Sequence, residues 1–131
     1  MSQENLEIVR RVYDALNRID WDAAFRDLHP DVEIVFQRAP DAGTLQRREG
    51  VQRFLEDYLA AFDSMVFEPE ELLENGDQIV ALVTRRARPK GSSGEMVVRN
   101  GHIWTIRDGK VLSMKSFPDP EDALEAAGLA K

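Results

Sequence analysis

The stretch HIWTIRDGKVLSMKSF, residues 102–117, decides the fold. Two alternating apolar runs flank Arg107-Asp108-Gly109, which reads as a three-residue hairpin loop with Gly109 in the left-handed region. That loop pairs Ile106 with Lys110, Trp104 with Leu112, His102 with Met114 and Asn100 with Ser116. Side chains alternate across a strand, so these eight residues share one face. His102 therefore sits beside Trp104 and Met114 on what reads as the inner face of a sheet.

Upstream, the same strand-like period runs back to residue 65. Residues 65–74 and 78–88 are joined at Asn75-Gly76-Asp77, and PKGSSG (89–94) leads into 95–106. On the strand 78–88, Ala81, Val83, Arg85 and Ala87 are assigned to the inner face; Val80 and Leu82 on the other side are equally apolar. Two readings of Arg85 follow. Facing inward it would need an anion, a buried carboxylate or open solvent; if the face assignment is off by one residue, it lies on the surface.

The first sixty residues follow a helical period. Leu6, Val9, Val12, Tyr13, Leu16 and Ile19 predict a helix over 4–19. Asp20 is placed to cap a short second helix carrying Trp21, Phe25 and Leu28, ended by His29-Pro30-Asp31. Residues 32–36 read as a strand and 37–48 as a loop with room for a short edge strand. Val51, Phe54, Leu55, Tyr58, Leu59 and Phe62 predict the third helix. After Pro118 and Pro120, EDALEAAG reads as a short closing helix with Gly128 as its stop. The order is helices followed by an antiparallel meander, an α+β arrangement with helices packed on one face of a curved sheet.

Composition narrows the function classes. The 131 residues are one domain's worth, 43% hydrophobic and 31% charged, and no cysteine is present for disulfides, thiolate metal sites or a thiol nucleophile. A net charge of −7 argues against a nucleic-acid partner. No apolar run suits a signal peptide or a membrane span, so a cytoplasmic location with no membrane partner is expected. The two histidines, His29 and His102, lack ligand spacing, so neither a metal nor a cofactor is expected. His29 is explained by a helix end. The run Glu68, Glu70, Glu71 and Glu74 reads as a solvated strand edge opposed by Arg86, Arg88 and Lys90.

IVRRVYDALNRIDWDAAFRDLHPDVEI (8–34), REGVQRFLEDYLAAF (48–62) and GHIWTIRDGKVLSMKSFPD (101–119) together resemble the SnoaL-like branch of the nuclear-transport-factor-two-like superfamily. That superfamily includes ketosteroid isomerases and polyketide cyclases. The resemblance implies a single conical α+β domain over 1–131. A bent antiparallel sheet would wrap around three N-terminal helices, with a short C-terminal helix, leaving one deep apolar pocket. It also implies a homodimer formed through the sheet, and an outer face keeping Val80, Leu82, Ile103 and Val111 would supply the apolar contact.

The family's catalytic positions can be followed onto this sequence. Aligned on Ala15-Leu16-Asn17, the oxyanion tyrosine of the isomerases falls at Val12, the proton-shuttling carboxylate at Phe36 and the protonated carboxyl at His102. The late acid/base aspartate of the cyclases falls at Ser116. Without a base within reach of a substrate proton, neither known chemistry is supported. The expectation is a domain that binds a hydrophobic small molecule in a pocket lined by Val12, Leu16, Phe36, Phe54, Tyr58, Val83, Arg85, His102, Trp104, Met114 and Ser116. The enzymatic alternative is an isomerase, cyclase or hydrolase acting on a hydrophobic cyclic or polyketide-like substrate. There His102 would be the acid/base and Arg85 would stabilise a developing oxyanion. Tyr13, Trp21, Tyr58 and Trp104 could stack on a flat ligand, but aromatic residues at helical spacing are more often core.

Overall fold

The structure, a computed structural model, describes residues 2–36 and 44–129. The element order is α1 (Ser2–Asn17), α2 (Trp21–Phe25), β1 (Leu28–Phe36), β2 (Thr44–Gln46), α3 (Arg48–Leu59), β3 (Phe62–Asn75), β4 (Gln78–Pro89), β5 (Met96–Arg107), β6 (Lys110–Phe117) and α4 (Pro120–Ala126). The expected α+β cone is the observed fold class. Residues 37–43 of the expected loop lie outside the described residues, and the edge strand is β2.

Helix α1 buries Ile8, Val9, Val12, Tyr13, Ala15 and Leu16. It stops at Asn17 and not at Ile19, because Ile19 turns into the left-handed region at φ 55°. Its N–H bonds the Leu16 carbonyl while that of Asp20 reaches back to Ala15. This closing motif normally takes glycine, and a β-branched residue there is strained. Asp20 caps α2 as expected, accepting from the Ala23 N–H at 3.2 Å. His29-Pro30-Asp31 does not end that helix. It lies inside β1, where the His29 Nδ1 accepts from the Asp31 N–H, so the dipole explanation of His29 fails.

The sheet order is β2-β1-β6-β5-β4-β3. Its neighbours are antiparallel except β1 and β6, which run parallel, so the sheet is mixed where an all-antiparallel one was expected. A meander read along the chain cannot reveal this contact, since its two strands lie far apart in sequence. Among the described residues β3 is the other edge strand, and Asn17 of α1 bonds its backbone there. Its side chain donates to the Phe67 carbonyl at 2.9 Å and accepts from the Phe67 N–H at 2.8 Å.

The hairpin of the opening stretch is tighter than expected. Asp108 and Gly109 both have positive φ, at 54° and 76°, the signature of a two-residue turn that pairs Arg107 with Lys110. A turn one residue shorter should exchange the faces. It does not, because Leu112 bulges out between the pairs Ile106–Val111 and Thr105–Ser113. Beyond the bulge Trp104 pairs with Met114 and His102 with Ser116. Beyond the bulge the even-numbered residues share the inner face with partners two residues from those expected, whereas Ile106 pairs with Val111 in place of Lys110, which lies opposite Arg107 and is exposed.

The largest departure concerns α4, which packs on the opposite face of the sheet from α1–α3. Gly101 permits it: a Cβ there would sit 2.5 Å from the Ala123 Cβ. Beneath α4 lies a second apolar layer of Val80, Leu82, Ile103, Phe117 and Ala123. The face expected to stay open for a partner is therefore covered by the chain itself at Val80, Leu82 and Ile103, while Val111 belongs to the inner core. On that face Val66 and Val97 stay exposed, opposite Arg86 at the far end of β3 and β5. Glu68 of the acidic run pairs with Arg86 at 2.9 Å on this outer face. No helix among the described residues is long and apolar enough to cross a membrane.

Candidate functional site

Two rows of paired residues cross the concave face of the sheet. One runs Phe36, Ser116, His102, Ala81, Leu72; the other runs Ile34, Met114, Trp104, Ile79. Helices α1 and α3 close over these rows. On the side of β1, α3 does not pack down fully. Phe54, Leu55 and Tyr58 remain half-buried although they carry the apolar stripe of the helix. They border a cavity of about 540 Å³.

Of the residues expected to line a pocket, all but Val83 border this cavity. Val83 is on the correct face, but it is 2% exposed and belongs to the core. Arg85 faces the cavity, which resolves its two readings in favour of the inward one. The cavity is also bordered by residues not on that lining, Phe67 and Asn100 among them, and by Tyr13, which the sequence offered only as a residue that could stack on a ligand. Tyr13 could have been found, since a buried tyrosine needs a hydrogen-bond partner and the inner face offers His102 and Trp104.

An aromatic ladder forms one wall. The Phe36 and Phe54 ring centroids are 5.3 Å apart, those of Phe54 and Tyr58 are 5.9 Å apart and nearly parallel, and Tyr58 meets Phe62 at 5.3 Å. Phe62, expected on α3, contributes from the start of β3 instead.

Tyr13 is the node of a buried polar chain. The Trp104 indole N–H donates to the Tyr13 oxygen at 2.9 Å, and that oxygen lies 2.6 Å from the His102 Nδ1. Burial pushes the Tyr13 phenol well above its usual range, so it keeps its proton. The Trp104 indole can only donate, so the Tyr13 oxygen accepts from it, and the arrangement that satisfies both remaining groups has the phenolic proton donated to Nδ1. The same burial, reinforced by the charge of Arg85, pushes His102 down to about 4. His102 is thus neutral near pH 7, with its proton on Nε2. The resemblance aligned the oxyanion tyrosine with Val12; the residue that meets His102 is Tyr13, one position later.

Arg85 is the arginine that borders the cavity. Its Nη1 donates to the Tyr58 hydroxyl at 2.5 Å. Among the described residues no carboxylate forms an ion pair with it, and no aspartate or glutamate borders the cavity. The described residues likewise hold no cluster of side chains suited to a metal ion.

These features place the chain among known proteins. The SnoaL-like domain family matches residues 9–114, most of the chain. The chain belongs to that family. No curated protein matches it. The solved structure of TerC co-crystallised with polyporic acid is 26% identical with a TM-score of 0.79, over 95% of this chain and 98% of TerC. An NTF2-like protein of unknown function from Burkholderia pseudomallei is 25% identical with a TM-score of 0.79, over 93% and 95% of the two chains. A candidate SnoaL-like polyketide cyclase from Jannaschia sp. shares the fold at 20% identity, with a TM-score of 0.77 over 99% and 94%. This SnoaL-like chain has the fold of those proteins, with an apolar cavity on the concave face of its sheet.

Proposed function

We propose that this SnoaL-like domain, read as one unit over 1–131, binds a flat hydrophobic small molecule between α1, α3 and the concave face of the sheet. The observation that carries the reading is the cavity itself. Its volume suits a drug-sized ligand, its walls are mostly aromatic and aliphatic, and a few polar groups converge on it. TerC, the 26% identical structure, was crystallised with a small molecule, which supports the same use of the fold here.

The polar groups favour binding over proton abstraction. With Nδ1 engaged by Tyr13 and a proton on Nε2, His102 has a hydrogen to donate and no lone pair to accept one. It is a contact residue in this reading.

The neutral dye N-phenyl-1-naphthylamine is a suitable probe, because its fluorescence reports transfer into an apolar site. It should bind with saturable enhancement, and Met114→Trp, which fills the cavity, should weaken binding at least tenfold while the circular dichroism spectrum is retained. Unchanged affinity in a folded Met114→Trp variant would contradict the reading.

The homodimer belongs to this proposal on narrower ground than the sequence offered. With Val80, Leu82 and Ile103 under α4, a second copy would dock at the uncovered end of the sheet, where Val66 and Val97 flank Arg86. Light scattering at micromolar concentration should return twice the chain mass. A monomer mass would rule this association out.

A further inference from the structure

Resting on that reading of the cavity, we infer that its ligand is an acid: a flat apolar body carrying one anionic oxygen group, a carboxylate or an enolate, held between the Arg85 guanidinium and the His102 Nε2–H.

Arg85 is the first observation. A guanidinium facing an apolar cavity is costly unless its donors and its charge are matched. The partner seen is the neutral hydroxyl of Tyr58, which takes one N–H of five and leaves the charge uncompensated. None of the carboxylates of the neighbouring strand β3 borders the cavity. Glu68 pairs with Arg86 on the outer face, and Glu70 accepts from Thr84. Tyr58 is itself fixed in the aromatic ladder, which holds Arg85 toward the cavity.

His102 is the second. Trp104 and Tyr13 form a directed chain of donors that ends on its Nδ1, and such chains polarise each successive bond. The effect is to strengthen the remaining donor, Nε2–H, toward an acceptor in the cavity. Two donors from two strands, one of them charged, thus face a mostly apolar cavity that no negative group among the described residues borders. An anionic oxygen satisfies both, with the charge-assisted hydrogen bonds that arginine makes to planar oxygen groups. A neutral ketone or alcohol would leave the arginine charge unmatched.

A matched pair of probes tests this. 8-Anilino-1-naphthalenesulfonate carries the ring system of N-phenyl-1-naphthylamine plus one sulfonate. Each should displace the other from the wild-type protein. Arg85→Gln, which removes the charge but keeps an N–H for Tyr58, should weaken the sulfonate at least tenfold and leave the neutral dye within twofold. Arg85→Lys should retain part of the sulfonate affinity. If Arg85→Gln weakens both dyes alike, or neither, the acid-binding inference fails and the cavity reading survives. It fails in the same way if the sulfonate binds without displacing the neutral dye. If neither dye binds the wild-type protein, the cavity reading fails and takes this inference with it.

Discussion

Tyr13→Phe should destabilise the fold by about 2–4 kcal/mol although it removes a single oxygen atom. The hydroxyl sits where Trp104 and His102 are 4% and 7% exposed, largely closed to bulk solvent. Its loss strands the Trp104 indole N–H and the His102 Nδ1 together. Each buried polar group without a partner costs about 1–3 kcal/mol, and the remaining ring contacts are unchanged. Those contacts, Tyr13 stacked on His102 at 5.9 Å and edge-on to Trp104 at 5.4 Å, keep the variant folded and measurable. Urea unfolding followed by tryptophan fluorescence reads the difference directly. A change below about 0.5 kcal/mol, the range of neutral surface substitutions, would show that the hydroxyl is not the node described here. The same chain revises what is expected of His102: replacing it by an apolar ring would orphan the Tyr13 hydroxyl, so its role is structural as well as ligand-facing.

The second large effect is an acid-side loss of stability controlled by His102. Unfolded, the imidazole takes up its proton near 6.5; folded, it does so only near 4. Between those values the unfolded chain holds more protons, so stability falls as the pH drops through that window and levels off below it. Above 6.5 the group contributes no slope. At about 1.4 kcal/mol per pH unit the full window removes roughly 3 kcal/mol, about 2 of them between pH 6.5 and 5. The groups facing the ring act consistently. Arg85 opposes its protonation, Tyr13 offers a proton to it, and Tyr58 lies on the far side of Arg85. His102→Asn keeps an acceptor for Tyr13 and removes the titration. Chemical denaturation at pH 7 and pH 5 should therefore show about 2 kcal/mol lost in the wild type and almost none in the variant. Equal losses in the two proteins would mean that His102 is not neutral in the folded chain.

How far the sequence could be read depended on whether neighbouring residues carried the information. Helices α1 and α3 follow the 3.6-residue stripe, and their positions were legible to within a few residues. The face of His102 was legible for a reason only half correct. The turn is two residues and not three, and the bulge at Leu112 restores the parity that the shorter turn would have broken. Nothing in KVLSMKSF marks which residue bulges. The placement of α4 was not legible, because alternating strands 78–88 and 101–117 are apolar on both faces and a short helix rich in alanine fits either. Gly101 is the signal that was present, yet its meaning depends on Ala123, a residue brought to it only by folding. The parallel contact of β1 with β6 and the hydrogen bond from Trp104 to Tyr13, 91 residues apart, are likewise products of the tertiary structure.

A crystal structure of the protein with 8-anilino-1-naphthalenesulfonate tests the central claim most directly. The naphthalene ring should lie between the Phe54–Tyr58 wall and Met114, with sulfonate oxygens within hydrogen-bond distance of the Arg85 guanidinium and the His102 Nε2. Dye bound on the outer face beside Val66 and Val97, with the cavity unoccupied, would contradict it.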